Sequence, residues 1–246
     1  MENNHSLESK EPNPKLLFKL TLMRHEKPFY KDEGHDLTPE GVEGSIASGK
    51  HFREDGIISD NDEIHLVHSP TKRAKGTLDF IAQGAELEDL PKRSINQLRK
   101  SDMYDTATLN ARFKELDFDM EKISEDHYKN PIFDERPDII EPQSHKKERL
   151  YRAFEYLVRW FEKHPSEDKK PHVISVSHFE LITHIIDDVF GIENIGRYHA
   201  PSFGESVYIE AYGDTDSNEN IRLKVTYGSK TKYVLFDRKN RLIKEI

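Results

Sequence analysis

The sequence predicts an α/β fold, a three-layer α/β/α sandwich. Its central sheet is expected to be mostly parallel, with helices on both faces and an antiparallel strand at one edge. Short apolar runs with strand character alternate with helical segments along most of the chain, which is the pattern of a helix-covered parallel sheet. After residue 205, apolar and polar residues alternate with period two, as in antiparallel strands with one solvated face.

The first predicted strand covers residues 17–23, an apolar run that leads into Arg24 and His25. Residues 38–40 (Thr-Pro-Glu) then predict a helix start. Threonine caps a helix, proline suits the first helical position, and glutamate favours the positive end of the helix dipole. We expect this helix to reach about Arg53.

A second strand is predicted at residues 64–67, ending at His68. Ser69 and Pro70 repeat the cap-then-proline signal, so a helix is expected to follow and to reach about Ala82. Arg73 then falls in its first turns. Residues 87–96 could hold another short strand.

The stretch from residue 98 to 144 is irregular. Apolar residues at helical spacing occur in its first half, and three X-Pro pairs interrupt its second half. The apolar residues are Leu109, Phe113, Leu116, Met120 and Ile123. We interpret the stretch as a cap or insertion within a single domain at residues 15–246. Residues 1–14 are polar and are predicted to form a disordered tail.

The second half begins with the clearest amphipathic helix, with apolar residues at 150, 153, 154, 157, 160 and 161. A strand at residues 172–177 follows and leads into His178, and a helix at 179–190 should end at Gly191. Further strands are predicted near 206–212, 221–227, 232–236 and 241–246.

Composition narrows the function. The 246 residues include no cysteine and carry a net charge of -9. Disulfides, thiolate metal sites and cysteine nucleophiles are therefore excluded, and nucleic-acid binding and attraction to anionic membranes are disfavoured. No apolar run is long enough to span a bilayer. A cytoplasmic location is the expectation, and the histidine spacing suggests no metal site.

The predicted strand ends bring basic residues together. Parallel strands present their carboxyl ends to one crevice, so Arg24, His25, Arg73 and His178 are expected to meet there. Two guanidinium groups and two imidazoles indicate phosphoryl chemistry, because the planar fork of arginine matches phosphate geometry. Nearby positive charges should lower the pKa of His25 and keep its lone pair free. Taken singly, Arg73 could be part of a solvated helix face and His178 a helix cap.

Four motifs resemble those of the histidine phosphatase superfamily, the phosphoglycerate-mutase-like group. They are an Arg-His pair after the first strand, Ser-Pro-x-x-Arg-Ala-x-x-Thr at residues 69–77, a histidine after a late strand, and Leu-Thr-x-x-Gly at 37–41. They occur in the order found in that family.

The resemblance implies a metal-independent phosphatase without a cofactor, acting on a phosphorylated small molecule or phosphoprotein. His25 would attack phosphorus and become phosphohistidine, while Arg24 and Arg73 bind the non-bridging oxygens. His178 would be cationic and stabilise the charge of the transferred group. Ser69 is expected to help bind the substrate.

Two positions depart from the family pattern. Glu26 follows His25 where glycine is common, and we expect its carboxylate to point away from the site or to pair with a cation. The Leu-x-Glu that often supplies the general acid is absent from residues 95–102. Asp102 is our candidate acid, with Asp105 as a second, although both could be solvated loop carboxylates.

The missing glutamate favours a hydrolase over a mutase, because poor leaving groups need a proton in the transition state. Two alternatives stay open, namely a catalytically silent phosphate-binding module and a phosphoglycerate-type mutase. The sequence leaves the physiological substrate and the oligomeric state undetermined.

Overall fold

The computed structural model describes residues 14–29, 37–119, 122–123, 125–126, 132–191, 201–213 and 219–246. The predicted tail, apart from Pro14, lies outside the described residues. The described strands form one eight-stranded sheet with the order β3-β2-β4-β1-β5-β6-β7-β8.

One half of this sheet is parallel. It contains β1 (Leu16–Arg24), β2 (Asp62–His68), β3 (Lys92–Ser94) and β4 (Lys170–Ser177). β4 lies between β1 and β2 and pairs in parallel with both. The carboxyl ends of β1, β2 and β4 consequently lie side by side at one edge of the sheet.

The other half is an antiparallel meander that joins the sheet through pairing of β5 with β1. Its strands are β5 (Ser206–Gly213), β6 (Asn220–Tyr227), β7 (Lys230–Asp237) and β8 (Leu242–Glu245). The predicted fold class is confirmed, with four strands rather than one forming the antiparallel edge.

Helices α1 (Pro39–Glu54) and α2 (Lys72–Gly84) cover one face of the sheet. They approach each other so closely that only glycine fits at two positions. A Cβ at Gly49 would lie 2.2 Å from the backbone oxygen of Ile81, and one at Gly84 would lie 2.1 Å from that of Ile46. This close contact fixes the C-terminal end of α2 against α1.

Helices α5 (Gln143–Lys163) and α6 (Phe179–Phe190) cover the opposite face. α5 packs its apolar stripe on the sheet, where Phe154 and Phe161 contact Phe18 at ring centroid distances of 5.6 and 5.1 Å. α6 ends at Gly191, as predicted, where φ is +70°. The helices on both faces complete the three layers.

The stretch from 98 to 144 contains α3 (Thr106–Glu115) and α4 (Ile132–Glu135). The apolar spacing from Leu109 onward does not form one continuous helix. α3 ends at Glu115, and the backbone turns away because Asp117 and Phe118 have φ of 56° and 53°. Leu109 packs with Ile139 and Ile140 in a small apolar cluster of its own.

Candidate functional site

The candidate site forms where three neighbouring strands end. Arg24 is the last residue of β1 and pairs with Ser177, the last residue of β4. The backbone N–H of His25 donates to the carbonyl of Ser177 at 3.0 Å. His68 ends β2 and pairs with Val176. The pairing of β4 with both neighbours therefore sets the positions of all three loops.

The tautomer of His25 is determined by its two partners. Its Nδ1 donates to the backbone oxygen of Glu26 at 2.8 Å. Its Nε2 accepts from Nε of Arg73 at 2.9 Å; a guanidinium can only donate. Nε2 therefore holds the lone pair, as a nucleophile requires.

Arg73 also links His25 to His178. Its Nη2 lies 3.3 Å from Nδ1 of His178, which must accept for the same reason. The Nε2 of His178 then carries the proton and donates to Oγ of Ser69 at 2.7 Å. The two imidazole rings stand edge to face with centroids 5.1 Å apart, so both can reach a single small anion.

Both histidines are neutral in this arrangement. Burial lowers the pKa of His25 well below 6.5. His178, whenever it is protonated, and the permanent charges of Arg73 and Arg24 lower it further. Burial likewise lowers the pKa of His178, reinforced by Arg73 and Lys100. The lowered pKa of His178 runs against the expectation of a cationic imidazole, because burial penalises the charged form.

Arg24 is held from three directions. Its Nη1 donates to the backbone oxygen of Pro201 at 2.7 Å. Its guanidinium carbon lies 4.0 Å from the ring centroid of Phe203 and 5.0 Å from that of Phe179. The residue is 6% exposed. Stacking between two rings fixes the plane of the guanidinium and pre-organises it for an anion.

These side chains line one cavity with a volume of about 460 Å³. Its basic part comprises Arg24, His25, Arg73, Lys100 and His178. Another part of its wall is apolar and comes from the cap region and from α6: Met103, Phe113, Phe118, Ile123 and Phe179. The structure thus brings the four predicted basic residues together; their catalytic roles stay a prediction.

Ser69 occupies a different place from the one expected. Its side chain is fully buried and contacts His178, so it positions the histidine and does not line the cavity. The helix cap predicted for it belongs to Thr71, whose Oγ1 accepts from the backbone N–H of Ala74.

Glu26 points away from the phosphoryl-binding part of the site, which was one of the two expected arrangements. Its carboxylate faces Gly204 and Gly44, where an added Cβ would lie 2.1 and 2.9 Å from Oε1. Burial raises the pKa of this carboxyl group. The carboxylate does not line the cavity.

The candidate acids are engaged elsewhere. Asp102 pairs with Arg99 at 2.6 Å, and this contact lowers its pKa. Asp105 caps α3 by accepting from the N–H groups of Ala107 and Thr108. Neither lines the cavity, and a lowered pKa is unfavourable for a proton donor at neutral pH.

Sequence reasoning missed two charged residues that line the cavity, Lys100 and Glu180. Lys100 lies within residues 95–102, the stretch from which the expected Leu-x-Glu is absent. Glu180 lies in the first turn of α6, and its Oε1 accepts from the N–H of Ser101 at 3.0 Å. Position next to His178 was the signal that could have indicated Glu180.

Within the described part of the chain, no group of three or more His, Asp or Glu side chains could hold a metal ion. No described helix has both the length and the apolar character needed to cross a bilayer.

By sequence, the chain matches no protein-family model and no curated protein. Solved structures are nevertheless similar. A phosphoglycerate mutase from Bacillus anthracis str. Sterne has a TM-score of 0.57 at 16% identity, over 80% of this chain and 88% of that one. The mycobacterial glucosyl-3-phosphoglycerate phosphatase has a TM-score of 0.56 at 15% identity, and the match covers 85% of this chain and 97% of that one.

An α-ribazole phosphatase from Shigella flexneri is also similar, with a TM-score of 0.50 at 18% identity over 78% of this chain and 90% of the other. All three belong to the histidine phosphatase superfamily. At these identities the likeness concerns the fold. The resemblance indicated by the four motifs is confirmed at that level: the chain has the phosphoglycerate-mutase-like fold of the histidine phosphatase superfamily.

Proposed function

We propose that the protein is a phosphatase that hydrolyses phosphomonoesters or related phosphoryl compounds through a phosphohistidine on His25. The contact that carries this proposal is the hydrogen bond from Arg73 Nε to His25 Nε2 at 2.9 Å. It orients an unprotonated ring nitrogen toward the cavity that the two arginines line. Neutral imidazole is the form that attacks phosphorus.

In the proposed first step, a phosphoryl group binds between Arg24 and Arg73, and the Nε2 lone pair of His25 forms a bond to phosphorus. The guanidinium groups turn their N–H donors to the non-bridging oxygens, where positioning and charge stabilisation supply most of the catalysis. His178 gains a proton on Nδ1 as the anion arrives and donates it to the same oxygens, while its Nε2 stays bonded to Ser69. Water then attacks phosphorus and releases phosphate.

Hydrolysis is favoured over phosphoryl exchange between hydroxyl groups. A mutase needs acid–base help at two oxygens, whereas Asp102 and Asp105 are held by other partners. Among the solved structures of similar fold, a glucosyl-3-phosphoglycerate phosphatase and an α-ribazole phosphatase are hydrolases by name. Small phosphorylated molecules are therefore the proposed substrate class, and protein cations supply the charge that the mechanism needs.

The test is turnover of para-nitrophenyl phosphate in the presence of EDTA by three purified proteins: wild type, His25→Ala and His51→Ala. His51 lies exposed on α1 and serves as the matched control. Wild type and His51→Ala should release nitrophenol at equal rates, and His25→Ala should release none above background. Full activity in folded His25→Ala would contradict the proposal. Phosphate binding without turnover in wild type would identify a binding module instead.

A further inference from the structure

Building on that proposed function, we infer that the physiological substrate carries an apolar, ring-sized group on a weakly basic leaving oxygen, as an aryl or enol phosphate does. Polyhydroxylated sugar phosphates and carboxylate-bearing phosphates fit the cavity less well. The inference comes from the composition of the cavity wall outside the phosphoryl-binding residues.

The apolar wall lies in the same cavity as the basic residues. Met103, Phe113, Phe118, Ile123 and Phe179 all line it. A volume of about 460 Å³ holds a phosphoryl group and an attached ring. Ser101 and Asn110 are the uncharged polar residues that also line the cavity. Hydroxyl groups of a sugar that face the apolar part of the wall would lose their water without gaining partners there, which is costly. An aromatic or alicyclic group would bury its surface there favourably.

Phe118 supports the inference independently through its backbone. Its φ is 53° and that of Asp117 is 56°, a left-handed conformation that is unfavourable for a bulky residue. The turn is held by a hydrogen bond from the N–H of Phe118 to the carbonyl of Phe113 at 2.8 Å. The side chain is 60% exposed, so folding gains little from it. Strain that keeps an exposed ring at a cavity points to a binding role.

The charged residues near the leaving oxygen complete the argument. Lys100 lines the cavity and lies within residues 95–102, where no glutamate occurs. Glu180 is the one described carboxylate that lines the cavity. It accepts from the backbone of Ser101 and lies near the buried Lys146, whose pKa burial lowers to about 8 against the opposing charge of Glu180. Its Oε1 is thus engaged by a backbone N–H group, and Asp102 and Asp105 are held by other partners, so none of the three is directed at a leaving oxygen.

The bond changes follow from this arrangement. The lone pair of His25 Nε2 forms the N–P bond while the P–O bond breaks and leaves its electron pair on the departing oxygen. That oxygen leaves as an anion beside Lys100 and takes its proton from solvent. Water attacks phosphorus, the N–P pair returns to Nε2, and hydrogen phosphate is released. Only a leaving oxygen of low basicity departs readily without a proton.

Binding of phosphonates tests the apolar wall without requiring turnover. Benzylphosphonate should bind wild type about tenfold more tightly than methylphosphonate, because burying part of a ring on an apolar wall is worth about that factor. In Phe118→Ala the ratio of the benzylphosphonate affinity to the methylphosphonate affinity should fall to about 2, while the affinity for methylphosphonate stays unchanged. Tyr233→Ala, an equally exposed aromatic on β7, should keep the wild-type ratio. Equal binding of the two phosphonates to wild type would overturn the inference.

Turnover tests the leaving oxygen. Across substituted phenyl phosphates, kcat/KM should fall steeply as the leaving phenol becomes more basic, and 3-phosphoglycerate should be hydrolysed at least about 100-fold less efficiently than phenyl phosphate. Lys100→Glu should make the dependence shallower by placing a carboxyl group beside the leaving oxygen. A flat dependence in wild type, or a preference for 3-phosphoglycerate, would overturn the inference while leaving the phosphatase proposal intact. Aryl-selective phosphonate binding without any turnover would overturn the phosphatase proposal, and with it the inference about the leaving oxygen, and would leave only the apolar wall as a binding surface.

Discussion

Replacement of Arg73 tests the site where the structure is most specific. This side chain donates to His25 Nε2 at 2.9 Å and lies 3.3 Å from His178 Nδ1. It therefore orients both imidazoles in the resting site and, in the proposed mechanism, turns two N–H groups to the phosphoryl oxygens. Arg73→Ala removes the guanidinium, and Arg73→Lys keeps the charge but not the planar fork.

The magnitude follows from the bonds lost. Hydrogen bonds to charged groups contribute about 1.5–3 kcal/mol each. Losing two of them at the transition state raises the barrier by about 3–6 kcal/mol, or about 10²–10⁴-fold in kcat/KM. Arg73→Lys should have a kcat/KM only about a tenth of the wild-type value, because the point charge of an ammonium group cannot bind two phosphoryl oxygens as the planar guanidinium does.

The pH profile should change as well. Arg73 is one of the charges that lower the pKa of His25. Without it the pKa rises, so His25 becomes protonated, and inactive as a nucleophile, at a higher pH. The acid limb of the kcat/KM profile should therefore move to higher pH in Arg73→Ala. A residue with a purely structural role would leave that limb in place.

The assay is steady-state hydrolysis of para-nitrophenyl phosphate between pH 4 and 9, with circular dichroism to verify folding. Lys75→Ala is the matched control, since Lys75 is an exposed cation on the same helix; its kcat/KM should stay within about twofold of wild type. Folded Arg73→Ala with kcat/KM within threefold of wild type and an unmoved acid limb would refute the reasoning.

Three further predictions concern stability, each measured by urea unfolding. Gly84→Ala should destabilise by about 1–3 kcal/mol, because its Cβ would lie 2.1 Å from a backbone oxygen of α1. Gly76→Ala in the same helix meets nothing closer than 3.8 Å and should stabilise by about 0.5–1 kcal/mol; equal effects would contradict the close-contact explanation. Burial lowers the pKa of His184 to about 3, below about 6.5 in the unfolded chain. The unfolded state therefore binds a proton first as the pH falls, and the free energy of unfolding decreases below about pH 6.5. His184→Leu should lessen the loss between pH 7 and 5 by about 2 kcal/mol, whereas an unchanged pH dependence would count against a neutral buried histidine. Arg149→Met should cost about 3–5 kcal/mol because it leaves the carboxylate of Glu141, now 2.6 Å from the guanidinium, buried without that partner; a loss under about 1 kcal/mol would show that the pair is dispensable.

Local signals were sufficient for the elements that hold the site. The apolar runs before Arg24 and His178 are strands, and Pro39 and Gly191 mark a helix start and a helix end as predicted. These signals depend on residues close in the chain. The meeting of the strand ends followed from the parallel topology, which the alternation of strands and helices indicated.

Features that depend on distant contacts were not predictable. Ser69 has the residue type and spacing of a helix cap, but His178, 109 residues away, takes its hydroxyl group. The neutral state of His178 depends on burial by the whole fold. The apolar spacing after Leu109 suggested one helix because periodicity carries no information on the positive φ of Phe118. Lys100 entered the site through loop geometry that no local pattern describes, whereas Glu180 could have been indicated by its position two residues after His178.

The central claim is that His25 becomes phosphorylated on Nε2 and that Nδ1 keeps its hydrogen bond to the carbonyl of Glu26. The most direct measurement is phosphorus NMR of the enzyme quenched in alkali during turnover of an aryl phosphate, with mass spectrometry to locate the modified residue. The account predicts an alkali-stable, acid-labile phosphohistidine at His25, substituted on Nε2. Phosphate found on Nδ1, on His178 or on a hydroxyl side chain would contradict it.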